Sequence, residues 1–137
     1  CSSDLGNIYL AQNDSTQAII AYERGAAKAT RSGIEKGVLL LKLGDIDGIR
    51  ILGPRENVDR IGTVAFDVAG VHPHDVGQFI DAQGIAIRVG HHCAQPVHRH
   101  FGLYASNRAS SGVYNSVEDA QALVEAAKGI RKFFGVE

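Results

Sequence analysis

One short segment, Arg88-Val89-Gly90-His91-His92-Cys93-Ala94-Gln95-Pro96, gathers a thiol, two imidazoles and a guanidinium. Only the thiolate of a cysteine is strongly nucleophilic, and neighbouring cations stabilise it. Arg88 offers permanent positive charge, and His91 or His92 can move a proton near neutral pH. The chemistry that such a set could do is nucleophilic attack through sulfur. Gly90 and Pro96 bracket the segment, which favours a shaped surface loop over a core strand. The plainer alternative is a buried, inert cysteine, and the polar neighbours on both sides weigh against it. Downstream, Arg108 is followed by Ala109-Ser110-Ser111-Gly112, small residues that leave space beside it. Arginine is the usual residue for a forked grip on a carboxylate; the alternative is an ordinary exposed strand arginine.

The histidines also permit a metal reading. His72 and His74, His91 and His92, and His98 and His100 form close pairs, with Cys93 as a thiolate ligand for zinc. No CxxC, HxxxH or HExxH spacing occurs, so the reading favours no metal. The glycines form no G-x-G-x-x-G or Walker pattern, and Ser110-Ser111-Gly112 lacks the flanking glycine of a nucleophile elbow.

The elements that must position these groups can be read from periodicity. Thr16 to Leu43 is rich in Ala, Lys, Glu and Leu and suggests helix, as one piece or two, because Gly25, Gly33 and Gly37 weaken it. Cys1 to Ser15 reads as a polar tail or linker. Ile49 and Ile51 alternate with Arg50 in a short strand stopped by Gly53-Pro54, and Arg55 to Arg60 is a loop. Val64, Phe66 and Val68 share one face of a second strand closed by Gly70. Pro73 suits a first helical turn, Val76, Phe79 and Ile80 follow at helical spacing, and Gly84 stops the helix. Ile85 and Ile87 begin a strand ending at Arg88-Val89-Gly90. A loop is expected from Gly90 to Tyr104 and a strand from Arg108 to Tyr114. Ser116 with Asp119 forms a capping-box pattern, after which Val117, Ala120, Leu123, Val124, Ala127, Ile130 and Phe134 mark one apolar face. This order predicts an α/β (α+β) sandwich: a small, mostly antiparallel sheet with helices on one face, in a single domain over 16–137.

Composition bounds the partners. The 137 residues are 45% hydrophobic and 21% charged with a formal net charge of -1, which gives no reason to expect nucleic acid or an anionic membrane surface. The longest aliphatic run, Val38 to Leu41, is far short of the roughly 18 apolar residues of a spanning helix. No secretory pattern opens the chain, so a cytoplasmic protein is expected. There are two cysteines, Cys1 and Cys93, and no Met. A chain starting on Cys1 reads as a processed product or a domain of something longer.

The run from Arg88 to Pro96, followed by Arg108-Ala109-Ser110 and Tyr114-Asn115, resembles the C-terminal signature of SUF-type cysteine desulfurases, pyridoxal-phosphate enzymes of the class V aminotransferase group and fold type I. The likeness covers roughly Asp45 to Glu137; the residues before it depart from the family. It implies the small C-terminal domain of such an enzyme. Cys93 would attack the sulfur of L-cysteine, or of its selenium analogue L-selenocysteine, and leave as a persulfide with release of L-alanine. Arg108 would grip the substrate carboxylate, and Arg88 and His92 would lie near it. The resemblance further implies pyridoxal 5'-phosphate in the full-length enzyme, a homodimer, a SUF sulfur-acceptor protein and a role in iron–sulfur cluster assembly. The Schiff-base lysine belongs to the family's large domain and has no counterpart here, so this chain alone is expected to bind no cofactor and to be inactive. The alternative is a stand-alone sulfur-carrier or acceptor-binding module.

Overall fold

A computed structural model describes residue 17 and residues 33–54 and 62–136. The expected tail, the loop Arg55 to Arg60 and much of the first helix lie outside these. Residues 33–41 are helical and tighten into a 3-10 turn at Lys42–Asp45. Four strands follow: β1 (Ile49–Leu52), β2 (Thr63–Val68), β3 (Arg88–Gly90) and β4 (Ser106–Ser110). They form an antiparallel sheet in the order β1-β2-β4-β3. Helices α1 (Pro73–Asp81), α2 (Gln95–His100), α3 (Val117–Ala127) and α4 (Ile130–Phe134) complete the described elements. The expected antiparallel sheet with packed helices is the observed one.

Alternation along the strands decides the two faces. Val64 faces Ala109, and Phe66 faces both Ile51 and Asn107 across the sheet. These residues are buried together with Val76 and Ile80 of α1 and Leu123, Val124 and Ala127 of α3. Burying each such large apolar side chain contributes about 1.5–3 kcal/mol, so this face fixes the register. The other face carries Ala65, Arg88 and Arg108, with Arg88 directly opposite Arg108. Gly77 lets α1 press onto β3, since a Cβ there would stand 2.6 Å from Val89 Cγ2.

Four expectations need correction. The strand expected to begin at Ile85 runs over Arg88–Gly90 alone, the three residues that pair with β4. The stretch expected to be loop from Gly90 to Tyr104 contains α2, whose Pro96 sits in the first turn, where its missing N–H costs nothing. The last strand runs over Ser106–Ser110 instead of Arg108 to Tyr114, because Ser106 pairs with Gly90 and the chain turns where Asn115 N–H reaches Gly112 O. The final helix is two, separated at Lys128-Gly129. Among the described residues no helix is long and apolar enough to cross a membrane.

Candidate functional site

Gly90, at φ 123°, bends the chain out of β3. A tight turn follows, closed by Ala94 N–H donating to His91 O at 2.8 Å. Its two central residues, His92 and Cys93, both have positive φ, 52° and 60°. Neither is glycine, and each such backbone costs on the order of 1–2 kcal/mol. Strain of this kind is held where surrounding contacts over-determine it, and it gathers at functional sites. Cys93 is exposed and is the free cysteine of the described residues.

The contacts that hold the turn come from α2 and β4. His98, buried on α2, reaches Ala94 O with Nδ1 at 3.0 Å and Ser106 Oγ with Nε2 at 2.9 Å. His92 Nε2 meets the same Ser106 Oγ at 3.1 Å. Arg50 donates from Nη2 to Phe101 O at 3.1 Å, tying the end of α2 to β1. The turn and α2 therefore fold back over the sheet face that bears Arg88 and Arg108.

The electrostatics of this face are positive. The two guanidiniums lie on neighbouring strands at paired positions, and Arg108 Nε is buried without a hydrogen-bond partner. His92 Nδ1 is likewise buried and unpartnered. Burial pushes the His92 pKa below its ordinary value, and the charges of Arg108, His98 and Arg88 push the same way, against a hydrogen bond at Ser106. The ring is thus neutral near pH 7. Together these groups offer an exposed thiol, an uncharged imidazole and a guanidinium with a donor in reserve, which suits a small anion presented to a nucleophile.

Of the groups singled out in sequence, Arg88 and Arg108 meet across β3 and β4, and His92 joins them through the field of Arg108. The histidine pairs part ways. His72 caps α1 by accepting from His74 N–H, His91 packs edge-on against His98 and Tyr104, and His100 packs on Phe101. No group of three or more metal-ligating side chains occurs among the described residues. Sequence reasoning missed Ser106 as the meeting point of His92 and His98; a lone serine between Ala105 and Asn107 carries no signal for it.

Comparison with known proteins bears on this geometry. The model of the family described as aminotransferase class-V matches residues 16–123, reaching further toward the N-terminus than the motif resemblance did. A protein named probable cysteine desulfurase 2, from Mycobacterium leprae, is 44% identical over 121 residues, which are 88% of this chain and 27% of that protein. A probable cysteine desulfurase from Streptomyces coelicolor is 44% identical over 94 residues, 69% of this chain and 22% of that one. The chain thus spans about a quarter of the length of these curated relatives. Among solved structures, an apo cysteine desulfurase from Thermococcus onnurineus superposes with a TM-score of 0.75 at 30% identity, covering 87% of this chain and 30% of that one. The S-sulfonic acid form of the Escherichia coli cysteine desulfurase CsdA gives 0.68 at 27% identity, over 88% of this chain and 31% of that one. With the family model matching most of its residues, the chain belongs to the class-V aminotransferase family.

Proposed function

We propose that this chain is the thiol-bearing small domain of a SUF-type cysteine desulfurase, in which Cys93 takes sulfur from L-cysteine as a persulfide and L-alanine is released. The observation that carries the reading is an exposed thiol on a strained turn, folded over the sheet face where Arg108 keeps a buried, unpartnered donor. The Cys93 thiolate forms a bond to the substrate sulfur. The bond from that sulfur to Cβ breaks with its electron pair going to carbon, and the carbon takes a proton to give alanine. Arg108 holds the substrate carboxylate, with Arg88 adding charge and His92 close by. L-selenocysteine fits the same chemistry. The likeness to proteins named cysteine desulfurases supports this class of reaction.

Pyridoxal 5'-phosphate, when bound, supplies the electron sink that makes the Cβ–S bond breakable. The described residues do not fit its anchoring. Lys36 is buried with Nζ donating to Gly112 O and Asn115 O, Lys128 pairs with Glu125, and Lys42 and Lys132 belong to the helical layer. In this reading the cofactor of the full-length enzyme is held by residues other than these, and this chain alone is expected to be inactive. The wider setting we propose is a cytoplasmic homodimer that hands its sulfur to a SUF acceptor protein for iron–sulfur cluster assembly. In the full-length enzyme, Cys93→Ser should keep the colour of the bound cofactor and stop persulfide formation. Full sulfur transfer by that variant would overturn the assignment.

A further inference from the structure

The polar groups beside Cys93 form a chain whose hydrogens are dictated by one carbonyl. His98 Nδ1 lies on Ala94 O, and a carbonyl only accepts, so in the neutral ring Nδ1 carries the hydrogen. Nε2 of that ring is then a bare acceptor, and Ser106 donates its hydroxyl hydrogen to it. With that hydrogen committed, Ser106 Oγ can only accept from His92 Nε2. His92 must carry its hydrogen on Nε2, which leaves Nδ1 bare; this is the nitrogen found buried and unpartnered.

We propose that Ser106 and His98 are positioning residues that lock His92 in its Nε2–H tautomer and so hold a bare Nδ1 ready to accept the proton of the Cys93 thiol. The inference rests on the reading of Cys93 as a nucleophile. In the step, the thiol hydrogen passes to His92 Nδ1. A thiolate and an imidazolium result, and no electrons change hands. The thiol does not touch this nitrogen at rest, as is common before a substrate arrives. The charged and titratable groups facing His92 are Arg108 on β4, Arg88 on β3 and His98 on α2, with His91 packed on His98. The guanidiniums of Arg108 and Arg88 favour the neutral ring, the form able to accept a proton.

The test is a long-range 1H–15N correlation on the histidine-labelled 137-residue chain at about pH 8, above the ordinary histidine pKa. His92 should carry hydrogen on Nε2 and His98 on Nδ1. The opposite assignment for either ring, or averaging at His92, would overturn the lock. Ser106→Ala should release His92 to both tautomers and slow alkylation of Cys93 by roughly fivefold, the worth of one hydrogen bond. Ser106→Thr, which keeps the hydroxyl, should restore both readouts. A released tautomer with an unchanged alkylation rate would overturn the positioning role. If Ser106→Ala fails to fold, the tautomers of the unaltered chain and of Ser106→Thr still decide. Peptide mass separates Cys93 from Cys1; should Cys93 be no more reactive than Cys1 while the tautomers are as stated, the nucleophile reading fails and the lock stands.

Discussion

Replacing Cys93 by glycine should stabilise the fold while removing its reactive atom. The residue sits at φ 60°, directly after His92 at φ 52°. A side chain in this region costs about 1–2 kcal/mol. Glycine escapes that cost and loses about 0.5–1 kcal/mol of backbone entropy relative to alanine. The difference leaves glycine ahead by about 0.5–1 kcal/mol, the reverse of its rank in an ordinary helix or strand. Cys93→Ala is the proper reference, because it removes the thiol and keeps Cβ, and the exposed cysteine gives up little packing. Melting curves followed by circular dichroism on the 137-residue chain would put the glycine variant about 2–5 °C above the alanine variant. A glycine variant equal to or below the alanine variant would refute the claim that this turn stores strain.

Arg108 should behave as a binding group with little structural value. In the full-length enzyme, Arg108→Ala should lower kcat/KM for L-cysteine by about 10–150-fold, the range of a charge-assisted carboxylate contact, and Arg108→Lys should recover only part, because it keeps the charge and not the fork. The fold should not suffer equally, since like charges at facing positions on two strands cost about 0.2–1 kcal/mol; a kcat/KM within twofold of the parent would remove the clamp. His92 gives a pH dependence. Its folded pKa lies below the ordinary value of 6.5, chiefly through burial and then through Arg108, so the unfolded chain binds that proton more readily. Its contribution to stability is full above pH 6.5 and falls as the pH drops from there toward the folded value. His92→Gln should flatten that acid-side slope in urea titrations, and an unchanged slope would contradict the burial of this ring.

Much of the scaffold was legible because local signals and tertiary packing agree. The pattern of Val64, Phe66 and Val68 became the buried face of β2. Ser116 and Asp119 make both hydrogen bonds of the capping box, and Pro73 opens α1. Helix α2 was hidden because Val97 is its one aliphatic residue besides Pro96, and it stays largely exposed, so no apolar stripe marks a helix. β4 begins with Ser106 and Asn107, polar residues that strands usually avoid. Both are fully buried there, and only pairing with β2 and β3 makes them strand. At the site, residue types pointed to Cys93, Arg88, Arg108 and one of His91 and His92, and only the family resemblance singled out His92. The positive φ of two non-glycine residues was not legible, since nothing in His-His-Cys-Ala calls for it. Nor was the Ser106 bridge, whose histidine partners lie 8 and 14 residues away in sequence.

The most direct measurement is the mass of the Cys93 peptide after the full-length enzyme is given one portion of L-cysteine and no acceptor. It should gain the mass of one sulfur atom, lose it on reduction, and do so in step with one alanine released per site. Alanine released with no sulfur on Cys93, or sulfur found on another cysteine instead, would contradict the assignment of Cys93 as the group that takes it.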